Sequence, residues 1–373
     1  MKLNTKVYYI IDSSIMAVAV RSMVDKNLPI NLVIEKKEKI DDSFAIELFI
    51  DMIFKGLDYK IETVIVPPHY FITSGSGILK SAIILRRYKR IVEKRFKMSR
   101  DSKYVGARTS GIMISAPVGR RGFIDHGAGE YIERAKQIRA GFSIKSLVRR
   151  FLAACFYVIT STPFAFSFRF QPGVRLLKIE GDSGQFIDLR NLSINPALYD
   201  LVKQSVGLNC NAKRVVLYLA SAESHTSTNL LLRAEPFDSG NLLAILKNTD
   251  PDDFVIIKFH PSLYVAQKVV KTNLLSLLQN HGREAVIFDE HLPVEWRGII
   301  PSEVIILALK ITRLVMGDES STGLNLYLIQ DLEIIYSFIK TELDSRDRAT
   351  RDGFYELISS LVGSGKPNIR INN

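Results

Sequence analysis

Residues 214–219, RVVLYL, and 254–259, FVIIKF, decide the fold. Each is a short run of Val, Ile, Leu and aromatic residues with little polar alternation, which is how a strand buried on both faces of a parallel sheet reads. A helical stretch at 238–248 separates them. Working outward, the alternation continues with a helix at 262–279, a strand at 285–288, a helix at 302–310, a strand at 312–316, a helix at 322–329 and a strand at 332–336. Strands alternating with helices in this way predict a doubly wound α/β domain, whose ligands sit at the C-terminal ends of the strands. Residues 350–364 read as a last helix.

The first half repeats the theme. VYYII at 7–11 is a buried strand, Asp12-Ser13-Ser14 starts a helix, and an apolar run carries that helix to Val24. Further strands are expected at 61–66 (IETVIV) and 112–115 (IMIS), with helices over 42–56 and 75–97. A chain of 373 residues exceeds what one core supports, roughly 250 to 300 residues. The expectation is therefore two domains, 1–206 and 207–373.

Between the two series, the stretch near 141–190 differs. Ile144, Leu147, Val148, Phe151, Leu152 and Cys155 recur at helical spacing, with Lys145, Arg149 and Arg150 on other faces. This is a basic amphipathic helix. It runs into an uncharged stretch from Phe151 to Phe168 that contains Pro163, and lying on a bilayer suits it better than crossing one. Burial between domains is the alternative. After it, VRLLKIEGDSGQFIDLR at 174–190 predicts a β-hairpin turning at Gly181-Asp182-Ser183-Gly184.

Fifty Lys and Arg against thirty-nine Asp and Glu give a formal charge of +11, which favours an anionic partner. Cys155 and Cys210 are the two cysteines, too few for a disulfide framework or a thiolate zinc site, and a reducing cytoplasm is expected. The N-terminus lacks the apolar core and small-residue cleavage site of a secretion signal.

Four stretches can carry chemistry. FVIIKFHPS at 254–262 places Lys258, His260 and Pro261 where a buried strand emerges, and a histidine there can protonate or hydrogen-bond a departing phosphate. MGDESSTGL at 316–324 puts Ser320, Ser321 and Thr322 at a helix start, where hydroxyls and backbone N–H groups seat a phosphate or simply cap the helix. IFDEHLPVEW at 287–296 offers Glu290 and, preferred, Glu295 as acceptors for ribose hydroxyls or a base amine. GRRGFIDHGAGEYIER at 119–134 holds Asp125, His126, Gly127 and Gly129, where Asp or His can take a proton from an attacking hydroxyl.

Assembled, these segments resemble the bacterial sialyltransferases of GT-B fold, most closely the capsular polysialyltransferase type, over nearly the whole chain. That family carries an acidic-acidic-Gly motif in its first domain, then His-Pro and Ser-Ser or Ser-Thr motifs in its second. Here they are Asp125-His126-Gly127, His260-Pro261 and Ser320-Ser321-Thr322. The resemblance implies an α/β GT-B fold, with two Rossmann-like doubly wound domains facing a central cleft. The first would bind acceptor and the second the nucleotide sugar, with the last helix packing back on the first domain.

It further implies inverting, metal-independent and cofactor-free transfer from CMP-sialic acid to a glycan acceptor in capsule or lipopolysaccharide synthesis. The enzyme would sit at the inner face of the cell membrane. His260 would stabilise departing CMP, and Ser320 and Ser321 would hold its phosphate. The sequence has His126 where the family has a carboxylate, and either Asp125 is the base or it orients His126. Related enzymes that build teichoic-acid-like polymers from CDP-glycerol use a His-Gly motif at this place, so polyol-phosphate transfer is the second reading.

A third reading, from another class, is a polyanion-binding protein without catalysis. Residues 80–103 carry ten Lys or Arg against Glu93 and Asp101. No helix-turn-helix, zinc-finger or RNP-like pattern accompanies them, which weighs against nucleic acid and for an anionic acceptor or an anionic membrane.

Overall fold

The computed structural model describes residues 5–25, 27–37, 43–67, 78–108, 110–117, 119–125, 127, 131–132, 148, 151, 173–177, 185–193, 195–207, 214–220, 234–259, 273–316, 320–337, 345–363 and 368–372. Two compact units divide at Leu192/Ser193. The first contains strands β1 (Val7–Ile11), β2 (Ile30–Lys37), β3 (Tyr59–Val66), β4 (Lys103–Gly106), β5 (Arg121–Asp125) and β6 (Gly173–Arg175), with helices α1 (Ser14–Met23), α2 (Ser43–Ile53), α3 (Ile78–Arg95) and α4 (Gly111–Ser115). The second contains α5 (Pro196–Val206), β7 (Val215–Leu219), α6 (Ala234–Asn248), β8 (Phe254–Lys258), α7 (Leu274–Asn280) and β9 (Glu284–Ile287). It continues through α8 (Ser302–Leu309), β10 (Arg313–Met316), α9 (Thr322–Leu326), β11 (Glu333–Ser337), α10 (Ser345–Gly363) and β12 (Ile369–Asn372).

Both sheets are six-stranded and parallel throughout. The first has the order β3-β2-β1-β4-β5-β6, and the second, read from its other edge, β9-β8-β7-β10-β11-β12. Counting strands from the start of each unit, both orders are 3-2-1-4-5-6, the doubly wound arrangement in which the chain reverses direction between its first and fourth strands. These are two Rossmann-like units in tandem, and they fit the expected α/β, two-domain GT-B architecture. The cause is visible in the strands: all five residues of β8 are buried, as are the last four of β7 and β11, because helices cover both faces.

The boundary lies before α5 rather than at 206/207 because α5 packs on α8 of the second unit. Its start is set by Asn195, whose side chain accepts from Ala197 N at 2.9 Å, with Pro196 at the first helical position. Two further expectations change. IMIS at 112–115 is helix α4 and not a strand, since Ser110 caps it by accepting from Met113 N at 3.1 Å. Gly173–Arg175 is a parallel strand whose bridge from Arg175 to Phe186 is also parallel, so those residues are not the two arms of a hairpin. The last helix is α10, the crossover between β11 and β12, and its Phe354 ring meets Tyr336 of β11 edge-on at 5.4 Å.

Tyr88 and Val92 of helix α3, with Phe96 just after it, are buried in one cluster with Tyr104, Ile112 and Phe123. Arg86, Arg87, Arg90, Lys94 and Arg95 are exposed, so these five residues of the basic run lie on the solvent face of an amphipathic helix. Of the basic amphipathic stretch, Val148 and Phe151 are described. They are helical and 52% and 69% exposed; its remainder lies outside the described residues. No described helix is long and apolar enough to cross a membrane.

Ion pairs hold the N-terminal edge of the second sheet. Arg214, just before β7, grips Asp253, just before β8, through Nε at 2.7 Å and Nη2 at 2.8 Å, and also bonds Asp250. Burial alone would push the Asp253 carboxyl up, but the Arg214 bonds and the Asp250 N–H outweigh it, leaving it below the usual range. A carboxyl whose folded value is depressed contributes stability above its unfolded value near 3.9, and loses it as pH falls through the folded one. Asp253→Asn is therefore expected to cost about 1–3 kcal/mol at neutral pH. In urea titrations the difference from wild type should shrink as pH falls below the unfolded carboxyl value near 3.9; a pH-independent difference would contradict the ionic account.

Candidate functional site

Doubly wound sheets bind ligands at the C-terminal edge, where strand order reverses. In the second unit that point lies between β7 and β10. The register aligns Lys258, Leu219, Met316 and Tyr336 as one row across β8, β7, β10 and β11. The segments leaving β8 and β10 thus flank the end of β7. They are not neighbours, because β7 intervenes, and the two ends stand about 10 Å apart at ordinary strand spacing. His260 and Pro261, the next residues but one and two after Lys258, lie outside the described residues.

Lys258 does not project from this edge. Its side chain is 2% exposed, and its Nζ donates to both oxygens of Asp289, each at 3.2 Å. Asp289 is fully buried just past β9 and also accepts from Gly298 N at 2.9 Å. The Phe288 ring lies 5.4 Å from the ammonium. A charged pair in so dry a place survives because each partner neutralises the other and the spare oxygen lone pair is satisfied. Lys258 therefore ties the end of β8, from which the His-Pro segment leaves, to the 288–298 loop. Glu290 and Glu295 of that loop are both exposed.

On the other flank, Ser321 sits at the N-cap of α9 with its side chain making no capping bond. Ser320 Oγ accepts from Thr322 N and donates to Thr322 Oγ1, both at 3.3 Å, the long end of the hydrogen-bond range. Tyr336 Oη fixes the turn by donating to Ser320 O at 3.2 Å. The helix closes tightly on the sheet: a Cβ on Gly323 would stand 2.6 Å from Met316 Cε and 2.8 Å from Ile334 Cγ2 and Tyr336 Oη. Asn325 of α9 donates to buried Glu303 of α8 at 2.8 Å. The Ser320 and Ser321 hydroxyls are thus held on a rigid turn with weak or no internal engagement, which suits them to accept or donate to a ligand oxygen.

The same edge of the first unit carries several charges. Asp125 pairs with Arg175 across β5 and β6, and Ile11 pairs with Ile34 across β1 and β2. Asp12 and Glu35 directly follow the paired Ile11 and Ile34, and Arg108 lies two residues beyond the end of β4. Arg108 grips Asp125 through Nε at 2.5 Å and Nη2 at 3.0 Å, and Arg175 Nε stands 3.4 Å from Asp125 Oδ2. Gly173 makes this possible, since a Cβ there would come within 2.8 Å of both Arg108 Nη2 and Asp125 Oδ2. Asp125 is buried with both oxygens engaged. His126 lies outside the described residues.

Glu35 accepts from Ser110 Oγ at 2.5 Å, Gly111 N at 2.8 Å and Ile112 N at 3.0 Å. Burial pushes its carboxyl up, these bonds pull the other way, and nearby Asp12 adds a push upward. Asp12 is half-buried, and among the described residues its carboxylate takes one hydrogen bond, from Ser13 Oγ at 3.2 Å. No group of three His, Cys, Asp or Glu side chains among the described residues is placed to hold a metal ion.

No protein-family model matches the sequence, and no curated protein does. Among solved structures the chain is similar to S. aureus MnaA in a co-structure with UDP, at TM-score 0.39 and 11% identity, over 96% of this chain and 88% of that one. It is also similar to MurG of Acinetobacter baumannii, at TM-score 0.37 and 9% identity, over 98% and 85%. The fold described here rests on strand order and register, not on these likenesses.

Sequence reasoning missed Asp289, Asp12, Glu35 and Arg108. A signal existed for Asp289: a lysine inside the uncharged run FVIIKF demands a buried counter-charge, and Asp289 is the first acid after the next buried strand. The other three come from positions far apart in the chain.

Proposed function

We propose that this chain is an inverting glycosyltransferase that moves an acidic sugar from CMP to a glycan acceptor, with sialic acid as the sugar and capsule or lipopolysaccharide as the setting. One observation carries the reading: in a doubly wound unit, the segment bearing His260 and the turn bearing Ser320 and Ser321 leave the sheet on either side of its first strand, where such sheets bind nucleotides. In this reading Ser320, Ser321 and Thr322 hold the donor phosphate. His260 hydrogen-bonds the phosphate as CMP leaves, Lys258 and Pro261 fix the segment that carries it, and Glu295 faces the nucleoside. The first unit removes the acceptor's proton, and the reaction proceeds without metal.

The exposed cations of α3 support an anionic acceptor. The exposed Val148 and Phe151 beside basic residues support peripheral contact with the anionic inner face of the cell membrane. Replacing both with Ser is expected to lower binding to phosphatidylglycerol-containing vesicles at least tenfold in sedimentation, since two half-exposed apolar side chains contribute about 1–3 kcal/mol between them. Unchanged sedimentation would remove that contact from the account.

The test is nucleotide release from a panel of CMP-sialic acid, CDP-glycerol and UDP-sugars, with and without a glycan acceptor. Release from CMP-sialic acid above the other donors is the expected result. Preference for CDP-glycerol would move the assignment to polyol-phosphate transfer, and release from none would leave the polyanion-binding reading.

A further inference from the structure

Strand β3 is an edge of the first sheet: it pairs with β2 on one side, and no described strand lies on the other. Its eight residues leave a long open edge, the kind of surface on which another strand can be added. Hydrogen bonds show which backbone groups point outward. Ile30 N donates to Asp58 O on the β2 side at 2.9 Å, and in a parallel strand alternate residues turn their backbone groups to the same neighbour. Lys60, Glu62 and Val64 therefore bond towards β2, while Tyr59, Ile61, Thr63 and Ile65 face outward. Ile65 O accepts from Arg95 Nη1 of α3 at 2.9 Å, as that assignment requires. Arg95 thus closes the edge at Ile65 and leaves Tyr59, Ile61 and Thr63 open, with backbone groups that bond nothing on the outer side among the described residues. On the strand's other face Lys60 and Glu62 are both exposed, and neither joins an ion pair among the described residues.

We infer that β3 pairs antiparallel with β3 of a second copy of this chain, continuing the first sheet across a two-fold axis at Ile61. Such an interface is self-complementary: where a residue of one copy meets a second residue of the other, the reverse contact occurs as well. Outward-facing residues must stand opposite one another to exchange bonds, and the charges choose among the registers that allow this. An axis at Lys60 or at Glu62 sets like charges face to face, which is destabilising. An axis at Thr63 brings Ile65, whose carbonyl Arg95 holds, opposite Ile61. An axis at Ile61 sets Lys60 of each copy opposite Glu62 of the other, in the pairs that exchange no backbone bonds and whose side chains stand closest. Tyr59 then meets Thr63, Ile61 meets Ile61, and about six inter-chain N–H···O bonds form, two for each such pair. An edge lysine by itself keeps strands apart; Glu62 supplies its counter-charge within the same strand, so the fitting partner is the strand itself.

The test is sedimentation equilibrium of the full chain as wild type, Ile61→Pro, Glu62→Lys and the double reversal Lys60→Glu/Glu62→Lys, each checked by its unfolding curve. Ile61→Pro removes an outward N–H and no bond to β2, a change that an edge strand tolerates. Wild type should show a monomer–dimer equilibrium and Ile61→Pro should be monomeric. Glu62→Lys, which sets lysine against lysine, should raise the dimer dissociation constant at least fivefold. The double reversal restores opposite charges in the same register and should return that constant to within about twofold of wild type. A wild type that stays monomeric at about 100 μM, or a dimer that survives both Ile61→Pro and Glu62→Lys, overturns the inference. A double reversal as weak as Glu62→Lys overturns the register on which it rests.

Discussion

Asp289→Ala is expected to destabilise the second unit by about 3–5 kcal/mol, read by denaturant unfolding of the full chain, because it leaves the Lys258 ammonium buried without a counter-charge. The pair is almost wholly removed from water, with side chains 2% and 0% exposed. Removing the carboxylate also strips Gly298 N of its acceptor. The paired substitution Lys258→Met with Asp289→Leu should recover most of the loss, since apolar replacements of similar volume bring no charge to desolvate. Equal destabilisation in the single and paired variants would mean that packing of the 288–298 loop, and not charge, dominates. The pair is thus read as scaffold, holding the segment that carries His260.

His260→Ala should act in the opposite way, leaving the unfolding curve in place while turnover falls about 100- to 10,000-fold, the range for losing a positioned proton donor. The loss should appear in kcat more than in KM if the imidazole engages the phosphate chiefly as CMP departs. An equally active, folded His260→Ala would remove the histidine from the mechanism. A KM-only effect would reduce it to ground-state binding.

The second unit was legible from sequence to within a residue or two at most strands, because parallel strands buried on both faces read as continuous apolar runs: RVVLYL became β7 and FVIIKF became β8. The first unit was harder. Strand β2, INLVIEKK, ends in charged residues and buries a glutamate, so its pattern is not that of a core strand. IMIS is too short for apolar content to separate strand from helix, and the deciding features, the Ser110 cap and the Glu35 carboxylate at the helix start, come from outside it. Strands β6 and β12 span three and four residues and exist because a sheet edge awaited them.

The site divides in the same way. His260, Ser320 and Ser321 stand out in the sequence because they sit just past buried apolar runs. Glu290 and Glu295 were singled out because they are acidic and near, yet both are exposed, and the buried acid of that loop is Asp289. Asp125 looked like a base because Asp beside His-Gly suggests proton transfer; its two arginine partners come from residues 108 and 175, which sequence spacing does not connect to it.

In the proposed reading, the C-terminal edge of the second sheet holds the phosphate of a cytidine nucleotide. Calorimetric titration of CMP into the full chain, wild type beside Ser320→Ala/Ser321→Ala, tests it most directly. The account predicts saturable binding at one site, weakened at least tenfold by the double substitution at unchanged fold. CMP that fails to bind, or binds both proteins equally, would contradict it.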